Sequence, residues 1–211
     1  MMMRGSALTR CEGSRMPNLA ALANLPENYP RALDRDVSLS TGELVHLRPI
    51  YPGDAQRLVA FHDRLSSDSV YRRYFSFHPE LSESEVAWLT TVDYVERLAL
   101  VVEDDDRLLA VGRYDRVPGT DEAEVAFLVA DDFQHRGLGM LLLHHLATAA
   151  RRQGITTFTA ETQASNRDMM GVFEASGFDV SASLDAEIIS VRFRIAPYEA
   201  SDHGESVPGT A

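Results

Sequence analysis

The feature that most constrains this chain is the hexapeptide Gln134-His135-Arg136-Gly137-Leu138-Gly139, which follows the apolar run Val125-Ala126-Phe127-Leu128-Val129. The run reads as a strand over 122–130. The segment 137–152 carries apolar residues at 138, 141, 142, 146 and 149, the spacing of a buried helical stripe. A strand that empties through a glycine-bearing turn into a helix offers several backbone N–H groups to one anion. The helix dipole adds roughly half a positive charge at the same end. Gly137 and Gly139 remove the side chains that would hold a phosphate off the backbone. The pattern predicts a diphosphate cradle, with an ordinary strand-to-helix turn as the alternative. A P-loop would need Lys and Ser/Thr after the last glycine, where Met140 and Leu141 stand. A dinucleotide fingerprint needs three glycines and an acidic residue about twenty positions on; here there are two glycines, and Glu161 lies on the next strand without the first-strand context of that fold.

Beyond the cradle, period and punctuation set the organisation. Residues 1–40 show no sustained period and hold Pro17, Pro26 and Pro30, so they read as a partly disordered N-terminal extension. The folded domain is expected over 41–196, with a flexible polar tail at 197–211. Leu44, Leu47 and Ile50 belong to a first strand. Helices follow through Leu58–Leu65, over 67–75, and from the capping box Ser82-Glu83-Ser84-Glu85. The period then changes to two. Leu98–Val102 and Leu108–Gly112 are strands joined at Asp104-Asp105-Asp106, which reads as a solvated hairpin tip rather than a metal site. After the cradle helix come strand 155–160, helix 166–176, and strands 178–182 and 187–195. The fold class is therefore α/β, with a mixed, mostly antiparallel sheet of about seven strands flanked by helices.

Composition narrows the partners. Twenty basic against thirty-two acidic side chains leave a formal charge of −12. Such a surface repels nucleic acid and anionic lipid, so neither a nucleic acid nor a membrane partner is expected. It suits a cationic partner, such as an amine or a lysine-bearing protein surface, or it serves solubility alone. No apolar run approaches the roughly 20 residues of a membrane span, and Met1–Ser14 lacks the apolar stretch of a signal peptide. Cys11 is the only cysteine, which rules out an intramolecular disulfide or a cysteine zinc cluster. His144 and His145 fall on different helix faces, unsuited to a shared metal. A cytoplasmic protein without a metal cofactor is expected, its oligomeric state open between monomer and homodimer.

The strand followed by Gln-x-x-Gly-x-Gly resembles the coenzyme A pyrophosphate loop of the GNAT superfamily of N-acetyltransferases. Downstream, Asn166 and then Phe173-Glu174-Ala175-Ser176-Gly177-Phe178 resemble that family's second signature, and the order of elements over roughly 43–196 is similar throughout. The run Ser69 to Phe77, with Leu47-Arg48-Pro49-Ile50, Val92-Asp93-Tyr94, Gly112–Arg116 and Ala123–Phe127, resembles the bacterial protein-lysine acetyltransferase branch. In that branch the domain is often fused to an acyl-CoA synthetase-like or cyclic-nucleotide-binding domain, for which 211 residues leave no room.

The resemblance implies a GNAT fold and acetyl-CoA as cosubstrate. Backbone groups of Phe127, Leu128 and Val129 would lie along the pantetheine arm. The pyrophosphate would sit on the amides of Gln134, His135, Arg136, Gly137, Leu138, Gly139 and Met140. Asn166 would hydrogen-bond the pantetheine side, a role that coexists with capping helix 167–176; Phe173 would pack on it. Many relatives carry a tyrosine as catalytic acid where this chain has Phe173, so no acid is assigned.

The acceptor amine needs a base, because a lysine is neutral in only about one molecule in two thousand at pH 7. Glu122 and Glu124 share one face of their strand. The resemblance gives the base role to Glu124, nearer the cradle, with Glu122 the weaker candidate and a solvent-facing glutamate the alternative. Three readings stay open: an enzyme acetylating protein lysines, an enzyme acetylating a small amine, and a non-catalytic acetyl-CoA sensor.

Overall fold

The computed structural model describes residues 25–39, 41–78, 80–105 and 107–195. The expectations for residues 1–24, for Cys11 and for a tail at 197–211 lie outside the described residues. Among the described residues, eight strands make one mixed sheet: β1 (Arg35–Ser38), β2 (Leu44–Pro49), β3 (Arg97–Asp104), β4 (Arg107–Arg116), β5 (Glu122–Val129), β6 (Thr157–Gln163), β7 (Asp179–Asp185) and β8 (Ile188–Arg194). Their spatial order is β1-β2-β3-β4-β5-β6-β8-β7. Neighbours are antiparallel except β5 and β6, which run parallel. Helices α1 (Ala55–His62), α2 (Ser67–Tyr74) and α3 (Glu83–Thr90) come between β2 and β3. Helix α4 (Leu138–Arg152) links β5 to β6, and α5 (Arg167–Glu174) links β6 to β7.

Period two in β3 builds a core on each side of the sheet. Leu98, Leu100 and Val102 enter one core with Leu138, Leu142 and Leu146 of α4. Ala99 and Val101 enter the other with Leu58 and Phe61 of α1. The capping box forms as its sequence requires: Ser82 Oγ accepts from Glu85 N at 3.3 Å, and Ser82 N donates to Glu85 Oε2 at 2.8 Å.

The sheet has one strand more than the seven or so expected. The extra strand, β1, lies inside the segment read as an extension. Its sequence Arg-Asp-Val-Ser has no apolar alternation, and only Val37 is even half-buried. Its place comes from its ladder with β2 and from the buried flanking residues Tyr29, Leu33 and Leu39.

A titratable clamp fastens this edge. His46 of β2 bonds Asp36 through Nδ1 at 2.7 Å and Asp34 through Nε2 at 2.9 Å, and the Tyr29 hydroxyl donates to Asp34 at 3.0 Å. The bond to Asp34, helped by Asp36 and the nearby Glu103, raises the His46 pKa. Burial alone would raise the Asp34 carboxyl, but the bonds from His46 and Tyr29 outweigh it and hold it below its usual range. The His46 contribution is complete below the ordinary histidine value and is lost as pH rises through the raised folded value. The Asp34 contribution is complete above the ordinary aspartate value and is lost as pH falls through its lowered one. The clamp is therefore strongest from mild acid to neutrality. Hydrogen-exchange protection of the β1 amides, corrected for intrinsic rate, is expected to fall as pH rises through the raised His46 value. His46→Gln should flatten that dependence; a flat wild-type profile would show that the clamp does not hold the edge.

Candidate active site

The site is built where the sheet comes apart. β5 and β6 pair only at Glu122–Thr157, Ala123–Phe158 and Glu124–Thr159. Beyond these, β5 continues along β4 and β6 continues along β8, with a gap between them. The bonds from Val117 N to Glu122 O (2.9 Å) and from Ala130 N to Leu109 O (2.8 Å) fix which backbone groups of β5 face β4. By the alternation of an antiparallel ladder, Glu124, Ala126 and Leu128 give theirs to β4, while Val125, Phe127 and Val129 turn theirs into the gap. Gln134 agrees with this, since its Nε2 reaches Val129 O at 3.4 Å. Of the three residues expected to meet a ligand through their backbone, Phe127 and Val129 present free groups. Leu128 lines the wall with its backbone committed to Val111, and Val125, not singled out in the sequence, takes the remaining position. A cavity of about 610 Å³ follows the gap from Glu124 to the first turn of α4.

The cradle closes the far end. His135 and Gly137 both take positive φ, 60° and 86°. This alternation turns successive N–H groups toward one point, the geometry of an anion nest. Leu141 is the first residue of the turn to find a helical acceptor, bonding Gly137 O at 3.0 Å. The N–H groups from His135 to Met140 have no partner of normal geometry among the described residues, and they converge at a helix N-terminus. Leu138 buries its side chain in the core, while Gly139 and Met140 line the cavity. The Arg136 guanidinium points elsewhere, to Glu43 at 2.9 Å and Asp132 O at 3.1 Å, so it offers the cradle only its backbone. The exposed His135 ring lies 3.8 Å from Asp168.

A latch that sequence reading missed holds the cradle against α2. Asp131 accepts from Ser66 N (2.8 Å), Ser66 Oγ (2.7 Å) and Ser69 Oγ (2.7 Å), and the Gln134 amide donates to Ser69 Oγ at 3.1 Å. Burial works against the Asp131 charge, but these bonds prevail and keep its pKa low. The available signal was Ser66, a helix-capping serine just before α2.

At the near end the two glutamates separate. Glu122 is held by Arg192 of β8 in a two-point ion pair, with Arg192 Nη1 to Oε2 at 2.6 Å. Glu124 is exposed and forms no ion pair among the described residues. It lines the gap and also a shallow depression of about 540 Å³ over β6, β8 and β7. Its carboxylate thus stands between a channel leading to the cradle and a surface open to a second molecule.

Comparison with known proteins decides what this arrangement is. Residues 67–178 match the model of the acetyltransferase (GNAT) family, an interval running from α2 through the second signature. The chain belongs to the GNAT family. It is 32% identical over 144 residues to Acetyltransferase Pat of Mycolicibacterium smegmatis, covering 67% of this chain and 43% of that one. It therefore spans less than half the length of that relative. It is 34% identical over 145 residues to Acetyltransferase PA5475 of Pseudomonas aeruginosa, covering 67% and 78% of the two chains. The GNAT domain of S. lividans PAT superposes with a TM-score of 0.75 at 37% identity, over 79% of this chain and 99% of that domain. The relatives called Pat bear out the resemblance to the protein acetyltransferase branch.

Asn166 and Phe173, the residues on which the second signature rests, divide between cavity lining and scaffold. Asn166 Oδ1 accepts from Met169 N at 3.2 Å, so the oxygen caps α5 and the amide nitrogen remains for the cavity that Asn166 lines. Phe173 is buried in the core and packs on Phe193 at 5.3 Å, forming the floor of the gap without a proton to give. Among the described residues, no cluster of His, Cys, Asp and Glu is arranged to hold a metal, and no helix is long and apolar enough to cross a membrane.

Proposed function

We propose that this protein transfers an acetyl group from acetyl-CoA directly to an amine, the side chain of a protein lysine, with Glu124 as general base. The observation that carries the reading is the β5–β6 gap, with backbone groups of Val125, Phe127 and Val129 free between an open carboxylate and a nest of unpartnered N–H groups. A linear, amide-bearing molecule with a diphosphate at one end and a reactive group at the other fits those groups in that order. The free strand edge would hold the pantetheine amides, and the amides of residues 134–140 would hold the pyrophosphate. Acetyl-CoA supplies an activated acetyl thioester at the Glu124 end.

The chain's own groups do the rest. Glu124 takes a proton from the ammonium through a water, and the neutral amine then adds to the thioester carbonyl carbon, whose bond to sulfur breaks as the amide forms. Glu122, tied up by Arg192, shapes the strand end. With Phe173 at the signature position, the thiolate leaves without a proton donor, as a good leaving group can. Support for a protein acceptor comes from the relatives called Pat.

Thiol release from acetyl-CoA, followed with acyl-CoA synthetases as protein acceptors beside a panel of small amines, tests this reading. Release only with protein acceptors supports it; release only with small amines moves the acceptor class; binding without release leaves a sensor. Gly139 gives a separate check on the cradle. A Cβ there would meet Val172 at 3.5 Å, an ordinary contact. Gly139→Ala should therefore keep or slightly raise the melting temperature, since alanine suits a helix better. It should weaken acetyl-CoA binding by crowding the phosphate. Unchanged affinity would take Gly139 out of the cradle.

A further inference from the structure

A net charge of −12 conceals a local reversal beside Glu124. Strands β3 and β4 bring Arg97 and Arg113 together, and their guanidinium groups lie 4.0 and 4.3 Å from the ring centre of Trp88 on α3. Both are served by one carboxylate. Arg97 Nε bonds Asp115 Oδ1 at 2.9 Å, and Arg113 bonds Oδ2 at 2.8 Å and Oδ1 at 3.1 Å. Asp115 is thereby used up, and a third guanidinium, Arg73 of α2, goes without.

Arg73 lines the cavity that Glu124 opens into, and its described contact is with the neighbouring Tyr74 ring, 5.2 Å from the guanidinium carbon. It has no hydrogen bond or ion pair among the described residues, and Glu124 shares its chamber without pairing to it. Burial works against the Arg73 charge, and Arg113 adds to that, with Tyr74, Glu124 and Asp115 opposing. An arginine does not escape by losing its proton, so five donors stay charged in a half-buried place. The fork fits a carboxylate, bound at two points.

The alternative, that Arg73 serves the cradle phosphates, fits the neighbouring residue better. Arg72 approaches Asp168 at the start of α5, beside the cradle, at 3.7 Å. The charges that Arg73 feels, Glu124, Asp115 and Arg113, belong to the opposite end.

We propose that Arg73 receives a carboxylate of the acceptor, so that the amine this enzyme acetylates is one accompanied by a nearby carboxylate. The proposal rests on the acetyltransferase reading and narrows its substrate. The same chemistry has two sources: an acidic side chain beside a target lysine, or the carboxylate of a free amino acid. In either case the carboxylate offsets the repulsion that a guanidinium-lined chamber exerts on an incoming ammonium.

Calorimetric titration reads acceptor binding independently of turnover. The full chain would be titrated with lysine peptides carrying Asp or Asn beside the lysine, and with free lysine or lysinamide. kcat and KM would be measured on the same pairs. The carboxylate-bearing member of one pair is expected to bind about tenfold or more tighter, the scale of a charged two-point hydrogen bond. The pair that shows the preference identifies the source. Arg73→Gln should erase the preference through KM, Arg73→Lys should keep part of it, and Arg73→Glu should turn it toward a peptide with Arg in place of Asp. Equal binding within both pairs, or an Arg73→Gln loss that is the same on every acceptor, would overturn the proposal. A binding preference without turnover on any acceptor would uphold Arg73 and overturn the acetyltransferase reading instead.

Discussion

Replacing Glu124 with glutamine is expected to lower turnover at pH 7 by about 10²-fold or more, the scale of losing a general base, while leaving acetyl-CoA affinity within about twofold. The two halves of that expectation come from different parts of the structure. The affinity half follows from position: Glu124 sits where β5 and β6 part, whereas the diphosphate groups are expected at the far end of the gap. Its side chain makes no ion pair among the described residues, so glutamine, of the same shape, removes a charge and keeps the local packing. The turnover half follows from the place of the Glu124 carboxylate, which lines both the gap and the depression; Glu161 of β6 lines both as well, and Glu161→Gln is the companion variant that separates the two. Glu122 is the other carboxylate on that face of β5, and Arg192 holds it and depresses its pKa. The deficit should shrink as pH rises toward the acceptor's own pKa, because the amine then arrives neutral and the base has less to do. Steady-state kinetics across pH together with calorimetric titration of acetyl-CoA checks both halves. Unchanged turnover at pH 7 would remove Glu124 from the mechanism.

The second large effect is expected at Gly137, where substitution by glutamate should abolish acetyl-CoA binding. The φ of 86° already makes any side chain there unfavourable, by about 1–2 kcal/mol. A carboxylate adds repulsion against the phosphates at the end of the helix that favours negative charge. Gly137→Ala carries the backbone cost alone, so the difference between the two variants measures the electrostatic part, and added salt should shrink it. Binding retained by Gly137→Glu in a folded protein would mean that the diphosphate lies elsewhere.

What could be read from the sequence was what local chemistry decides. The strand, the glycine turn and the striped helix are consecutive, so the cradle was visible as a unit. Ser82 and Glu85 announced α3 because a capping box spans only four residues. Alternation in β3 showed a strand with two buried faces. What stayed hidden depends on partners distant in the chain. The short strand β1 has no pattern of its own and exists through β2 and the His46 clamp. The parting of β5 from β6, which makes the binding gap, is a matter of register between strands separated by α4. Glu122 ranked behind Glu124 only by its distance from the cradle, and the ion pair with Arg192, seventy residues on, was out of reach of any local pattern. Arg73 carries no sequence signal of its own, and the fold places it in the lining of the gap that Glu124 opens into. The acidity of the whole chain suggested a cationic partner, and the chamber lining adds a demand for a carboxylate beside the amine.

The most direct test of the central claim is mass spectrometry of a protein acceptor after incubation with acetyl-CoA and either the wild-type chain or Glu124→Gln. A single lysine gaining one acetyl group with the wild type, and gaining it about 10²-fold more slowly with the variant, is the expected result. No acetylated lysine with the wild type, under conditions where acetyl-CoA demonstrably binds, would contradict it.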